Sequence, residues 1–435
     1  MKRIALSVAL LCAGSVQAAD LLGIYQDARQ SDAKYGAARY QVEAGREKLP
    51  QGRAGLLPTI NLNGASTYNN LDAKLPNERE YGYNTNSYTL QLSQPLFRWQ
   101  NWVAYKQGEL QVGVAEAQLT AAELDLMVRS TQAYFDLLNA QDVLTVQSQL
   151  KKASREQLDL SKKSFEVGTV TITDVNDAQS KYDIVSAQEI AAQNDVNVKR
   201  EALRVLIAKE PPQLARLRDG VMLEPPMPAD VEQWALSAQK NNLDVQVGQL
   251  NAEIAAREVE RNRAAHMPTI DAVGSYGRNH GAGSTSSQSE FEYRNWQVGV
   301  QATLPIFAGG GTQSKVRESQ ALSAKSQQDL EAAKRNAAQL ARSAFLSVTS
   351  GVAQVRGYEA AVISSRSALE SNKLGYQVGV KINKDVLDAQ SQLADTAQKL
   401  AKSRYDTIMA QVKLKQAVGS LSLKDLEEIN ALLER

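Results

Sequence analysis
The sequence predicts an all-α chain carrying a transmembrane β portion, built as two copies of one unit. Three observations predict it. Leu57-Pro58-Thr59-Ile60 returns as Met267-Pro268-Thr269-Ile270, Pro95-Leu96-Phe97 as Pro305-Ile306-Phe307, and Phe165-Glu166-Val167-Gly168 as Tyr376-Gln377-Val378-Gly379; the first two pairs lie 210 positions apart and the third 211. Each copy also holds a proline-free helical stretch of about 65 residues, which at 1.5 Å per residue runs about 100 Å. Between the first and second helical stretches of each copy, the hydrophobic period switches from about 3.6 to 2.

The N-terminus reads as a targeting segment rather than as part of the fold. Lys2 and Arg3 precede an apolar run from Ile4 to Ala13, and Val16-Gln17-Ala18 puts small residues where a signal peptidase reads. Residues 1–18 are therefore an expected signal peptide, cleaved after Ala18 or Ala19. Cys12, the one cysteine, falls inside it, and Leu11 is too large for a lipoprotein cleavage site, so the mature chain is expected to carry no thiol, disulfide or lipid anchor. The first repeat is expected over 19–210, a proline-rich link over 211–229, the second repeat over 230–419 and a C-terminal segment over 420–435 that packs near the link.

Charge is balanced, 49 basic against 48 acidic side chains in 435 residues, so nucleic acid is not an expected partner. Aromatics are 6% of the chain, and the wealth of Ala, Gln, Leu, Ser and Lys favours long helices. In each repeat the helices read short, long, short: Leu22 to Ala54, Trp99 to Phe165 and Asp174 to Ala208, then Asp230 to Ala265, Thr312 to Tyr376 and Asp385 to Val418. The simplest packing lays one long helix beside two short ones. Val175, Ala178, Tyr182, Val185, Ala192, Val196, Leu203 and Leu206 fall on heptad a/d spacing, broken by Glu189 and Lys199, and Val386, Ala389, Leu393, Leu400, Ala410, Leu414 and Ala417 repeat the register.

Period-2 segments give four strands, at about 57–68, 87–97, 268–277 and 294–307. Ile60, Leu62 and Tyr68 alternate with Asn61, Asn63 and Thr67; Trp296, Val298 and Val300 alternate with Gln297, Gly299 and Gln301. Each strand is about 10 residues, enough to cross a bilayer when tilted. The polar stretches Asn69 to Ser87 and Gly277 to Tyr293 read as long surface loops. Four strands cannot close a barrel, and an open edge in lipid leaves backbone groups unsatisfied. Two chains would give a filled eight-stranded barrel, three a twelve-stranded one with a wet lumen, and a soluble rod capped by hairpins is the competing arrangement.

In the order and spacing of these features the mature chain resembles TolC-type outer-membrane efflux proteins along its whole length. The resemblance implies a homotrimer in outer-membrane lipid: a twelve-stranded barrel continued by a twelve-helix periplasmic tunnel, a passive exit duct working with a periplasmic adaptor and an inner-membrane transporter. A periplasmic coiled-coil scaffold or adaptor is the alternative, sharing the helices without the strands.

Residue-by-residue matching places the functional positions at the coiled-coil tips. Thr173-Asp174-Val175-Asn176-Asp177 corresponds to Lys384-Asp385-Val386-Leu387-Asp388, each with carboxylates at i and i+3 on one helical face. Such residues also cap helix N-termini, which is the plainer explanation of Asp174 and Asp385. The resemblance makes Asp385 and Asp388 a cation-selecting ring at the periplasmic constriction, and Thr173, Asp174, Tyr376 and Lys381 a closed-state latch in which Lys381 stands where the family often has arginine. The hairpin tips Val167-Gly168-Thr169 and Val378-Gly379-Val380 resemble the adaptor-docking surface. The first copy lacks both the hydroxyl of Tyr376 and the charge of Lys381, so the moving latch is expected in the second half. No cofactor or metal is expected. His266 and His280 lie in no catalytic or ligand pattern, and no nucleotide motif is present, so an enzyme is not expected.

Overall fold
The computed structural model describes residues 19–73, 79–218 and 220–434; the expected signal peptide and Cys12 lie outside the described residues. Elements follow in the order α1 (Leu21–Ser31), α2 (Ala33–Arg46), α3 (Lys48–Ala54), β1 (Thr59–Ala73), β2 (Arg79–Phe97), α4 (Trp99–Glu166), α5 (Ile172–Ile207), α6 (Val231–Asn241), α7 (Leu243–Arg263), β3 (Thr269–Gly281), β4 (Phe291–Thr303), α8 (Gly311–Gln377), α9 (Asn383–Ala417) and α10 (Leu423–Asn430). Among the described residues no helix is long and apolar enough to cross a membrane.

The repeat is deeper than its three sequence landmarks. The first short helix of each copy is not continuous, as expected from Leu22 to Ala54 and from Asp230 to Ala265, but breaks after 11 residues at Asp32 and again, 210 positions on, at Asn242. Both breaks are made by side chains that bond the backbone. Asp32 accepts the amide of Tyr35 at 2.7 Å, opening α2, while Asn242 donates to the carbonyl of Ala417 at 2.8 Å. The preceding caps match as well: Asp20 accepts from the amide of Gly23 and Asp230 from that of Glu232.

Two compact units form, each drawing on both copies: Met1–Ala37, Thr120–Asn242 and Arg335–Arg435 make a helical unit, and Ala38–Leu119 with Leu243–Lys334 makes the unit that holds the sheet. In the helical unit the α5 heptad is buried at Ala178, Val185, Ala192, Val196, Leu203 and Leu206. Its two breaks are ion-paired to α4, Glu189 with Lys151 at 2.6 Å and Lys199 with Asp136 at 3.3 Å. Helix α9 departs from the single predicted seam. Besides Val386, a second line at Asn383, Leu387, Gln390 and Ala394 is buried, and it faces the first copy: Leu387 packs with Leu158 and Ala178, and Ala394 with Leu150 and Val185. On another side Arg404 pairs with Glu359 of α8 at 2.8 Å. Helix α9 is thus enclosed by helices from both copies, whereas α5 leaves Ile184, Ile190, Val198 and Val205 exposed.

The proline-rich link contacts both the segment before α1 and the C-terminal segment. Ala19 and Leu214 bridge, as do Leu217 and Leu433, and the Tyr134 hydroxyl donates to the Ala215 carbonyl at 2.7 Å. Near it, α10 is tied to α1 through Asn430, which accepts from the Leu21 amide and donates to Asp20, both at 2.9 Å.

In the other unit the four strands form one antiparallel sheet in the order β1-β2-β3-β4. The strands are longer on the loop side than alternation indicated. β1 and β2 pair from Thr59 with Ser93 out to Ala73 with Arg79, so most of the segment expected as a loop from Asn69 to Ser87 is strand, its residues 74–78 lying outside the described residues. The second pair extends to Gly281 and starts at Phe291. Backbone pairing continues there although Asn69, Asn70 and Asn84 spoil the apolar rhythm by which strands are read. At the other end β4 stops at Thr303 rather than at 307. Pro305 cannot donate to a ladder, and its counterpart Pro95 stays paired only beside an irregularity between Pro95 and Phe97. Gly108, a weak interruption in the helical pattern of α4, marks close packing: a Cβ there would stand 2.8 Å from the Lys48 carbonyl oxygen.

Candidate functional site
Two sites follow from this architecture, one in each unit. In the sheet, the register sorts side chains by chemistry across all four strands. Ile60 lies opposite Leu92, Leu92 opposite Gly274 and Gly274 opposite Val298; the next row on the same face is Leu62, Leu90, Tyr276 and Trp296. The alternate row reads Asn61, Gln91, Ser275 and Gln297, with Asn63, Thr89, Gly277 and Asn295 following. One face is apolar and the other polar. Ile60, Leu62, Trp296 and Val298 are each exposed by 65% or more, so among the described residues nothing covers these positions of the apolar face. β1 and β4 are the two outer strands of the sheet.

In the helical unit the tips of the coiled coils are set by paired turns. Helices α4 and α8 both end in a glycine of positive φ, Gly168 at 77° and Gly379 at 80°, a conformation other residues enter at a cost of about 1–2 kcal/mol. The amides of Gly168 and Thr169 return to the carbonyls of Phe165 and Ser164, and those of Gly379 and Val380 to Tyr376 and Gly375. Both are the paired bonds of a Schellman stop. They leave Val167, Val378 and Val380 pointing outward, exposed by 74%, 65% and 79%.

The acidic first turns behave differently in the two copies. Asp174 closes a capping box: its carboxylate accepts from the Thr171 amide at 3.0 Å and hydroxyl at 2.7 Å, while its own amide donates to Thr171. The capping explanation therefore accounts for Asp174, with Thr171 as the cap and Thr173 exposed two residues on. Asp385 is less engaged. It accepts from the Ile382 amide at 3.4 Å, and the Lys381 ammonium stands 3.7 Å from it. Asp388 is exposed.

Of the residues expected to form a latch, Tyr376 and Asp174 are linked only by charge, the Asp174 carboxylate acting on the phenol. The Tyr376 phenol is held above its ordinary range, first by burial and then by the Asp174 carboxylate. Lys381 is paired with Asp385 in its own hairpin. One buried residue beside these escaped the sequence reading. Asn383, the first residue of α9, is 2% exposed; its amide nitrogen donates to the Ser161 hydroxyl at 3.0 Å and the Asp174 carbonyl at 3.4 Å, and its oxygen accepts from Gln157. The signal for it was present as a second, interleaved buried line on α9, hidden because its members alternate polar and apolar.

Among the described residues no group of acidic or histidine side chains is arranged to hold a metal ion. His280 faces Glu290 at 3.4 Å, and His266 ends a short 3₁₀ turn.

Comparison with known proteins agrees with this architecture. The chain is 33% identical over 422 residues to the outer membrane protein TolC of Vibrio cholerae, covering 97% of this chain and 95% of that one. It is 28% identical to the proteases secretion protein PrtF of Dickeya chrysanthemi, over 99% of this chain and 95% of that one. The crystal structure of the CmeC outer membrane channel of Campylobacter jejuni superposes with a TM-score of 0.81 at 18% identity, covering 95% of this chain and 90% of that one. The sequence profile of outer membrane efflux proteins matches residues 24–209 and 234–420, the two repeats in turn, and the chain belongs to that family.

Proposed function
We propose that three copies of this chain close a single barrel in the outer membrane and form the passive exit duct of a tripartite efflux pump or type I secretion system. The observation that carries the reading is the sheet: an apolar row and a polar row in register over four strands, with two outer edges. In hydrocarbon each unpaired backbone group costs several kcal/mol, so β1 and β4 must meet strands of other chains. Three such sheets give twelve strands, wide enough for a water-filled lumen lined by Asn61, Gln91, Ser275 and Gln297. The exposed heptad line of α5, with Ile184, Val198 and Val205 at spacings of fourteen and seven residues, offers the same neighbours an apolar seam.

At the tips, threefold repetition turns single carboxylates into rings. Asp385 and Asp388, exposed or only half-buried, would place six negative charges around the closing end and favour cations there. Tyr376 with Asp174, supported by Thr173 and Lys381, forms the latch that keeps it closed. The exposed valines 167, 378 and 380, with Gly168, Gly379 and Thr169 shaping the turns, form the surface that meets a periplasmic adaptor. The chain supplies a path rather than a reaction, and energy comes from the inner-membrane transporter to which the adaptor connects it. A relative named for protease secretion makes protein cargo compatible with this architecture.

The test is biochemical. Purified from outer membranes in detergent, the protein should be a heat-resistant trimer that forms ion channels in planar bilayers. A monomer released in soluble form by osmotic shock would overturn the reading.

A further inference from the structure
The buried carboxamide of Asn383 joins three helices at the point where α9 begins. Its partners Gln157 and Ser161 are themselves 8% and 0% exposed, and the Ser161 hydroxyl donates back to the Gln157 carbonyl at 2.9 Å. One heptad along, Ser154 on α4 and Gln390 on α9 are buried too. The contact of α9 with the first copy is therefore mixed. Leu387 and Ala394 supply apolar adhesion, and Asn383 supplies hydrogen bonds of fixed geometry. A buried polar side chain within a coiled-coil seam does little for adhesion, but it fixes register, because any slip leaves its donors and acceptors unsatisfied.

That register matters at this position. Asn383 stands two residues before Asp385 and five before Asp388, and it also bonds the backbone of Asp174, whose charge acts on the Tyr376 phenol. We propose that Asn383, with Gln157 and Ser161, is a buried latch that holds the first turn of α9 in the closed position from within a single chain. This rests on the reading of the protein as a closable channel. It adds to the surface latch a positioning residue that touches neither cargo nor adaptor. Opening that carries the first turn of α9 away from α4 and α5 breaks all of the Asn383 side-chain bonds at once, whereas the Schellman turns and the capping box of α5 travel intact with their own hairpins.

The test uses the full-length trimer in planar bilayers. Asn383→Leu, close in volume and apolar, should keep the heat-resistant trimer and raise resting conductance several-fold. Ser161→Ala, which removes one of the bonds to Asn383 and a single oxygen atom, should shift it in the same direction by less. The reciprocal exchange Gln157→Asn with Asn383→Gln keeps both carboxamides and should return conductance toward the native value, which a role in packing alone would not predict. Native conductance in Asn383→Leu trimers overturns the latch; if that variant does not assemble, native conductance in Ser161→Ala does so. A reciprocal exchange that conducts like Asn383→Leu overturns the pairing. If the native protein forms no channel, the functional reading fails and the latch with it; a native channel indifferent to these substitutions removes the latch alone.

Discussion
The Arg98 guanidinium grips both carboxylate oxygens of Asp271, Nε to Oδ1 at 2.8 Å and Nη2 to Oδ2 at 2.6 Å. Arg98 follows β2 and Asp271 lies near the start of β3, so this pair ties the hairpin of the first copy to that of the second. Asp271 is buried and Arg98 half-exposed. Arg98→Ala leaves a carboxylate without its partner where the ladder is already irregular, and should cost about 2 kcal/mol in the stability of the sheet. Arg98→Lys cannot reproduce the two-pronged bond and should recover only part of it. The temperature at which trimers dissociate in detergent measures both; equal values for native protein and Arg98→Ala would mean that the pair is not structural.

Acid should loosen the helical unit through Asp32. The hydrogen bonds from Arg129, at 2.8 and 2.9 Å, hold the Asp32 carboxyl below its ordinary range. Its folded value is depressed, so its contribution is present above the unfolded value of about 4 and is lost as pH falls through the lower folded value. Asp32→Asn should be less stable than native protein at neutral pH, and the difference should shrink as pH falls below about 4. Thermal melts followed by circular dichroism across that range decide it, and a difference independent of pH would assign the break between α1 and α2 to shape alone.

Much of this was legible because duplication repeats a signal. Pro58 and Pro268, Gly168 and Gly379 mark the same turns twice, and the α5 heptad predicted its buried residues. What escaped was structure carried by polar side chains. Asp32 and Asn242 break helices by bonding backbone groups, which leaves no mark on hydrophobic period, although their spacing of 210 was available. The outer halves of the strands escaped because the apolar rhythm fades there while backbone pairing continues. At the tips, Asp174 was legible as an acidic first turn, and its capping box with Thr171 is a local contact three residues long; that Asn383 reaches its carbonyl depends on a contact between segments 209 residues apart. No local pattern encodes such a contact.

Lys381 and Asp385 make opposite predictions for the same current. The lysine ammonium stands 3.7 Å from the carboxylate and offsets its charge. Asp385→Ala with Asp388→Ala should lower cation preference and weaken block by polyvalent cations, whereas Lys381→Ala should raise cation preference by uncovering Asp385. Reversal potentials in a salt gradient read both signs. Selectivity unchanged in the aspartate variants would remove those residues from the conducting path.

Tyr376 can be separated from that effect. The Tyr376 side chain is half-buried and its phenol feels the Asp174 charge, so Tyr376→Phe keeps the ring and removes only the hydroxyl. Resting conductance should rise with ion preference little changed, since the residue is uncharged near neutral pH. An unaltered conductance would mean that the ring, not the hydroxyl, is what the first hairpin meets.

The exposed line on α5 tests how the chains are held together. Ile184, Val198 and Val205 are exposed by 51%, 55% and 80%, although the helix carrying them buries a regular heptad on its other side. The equivalent helix of the second copy, α9, is enclosed within its own chain, whereas α5 keeps an apolar line that a neighbour can cover. Removing apolar area from an interface weakens association at about 25 cal/mol per Å² while leaving the isolated chain's core intact. Replacing all three with serine should therefore dissociate the trimer at lower temperature or lower protein concentration, with the helical content of each chain retained. Sedimentation in detergent and circular dichroism separate the two effects. If the trimer persists unchanged, the barrel strands alone hold the assembly; if helicity collapses as well, the line belongs to the fold of the single chain.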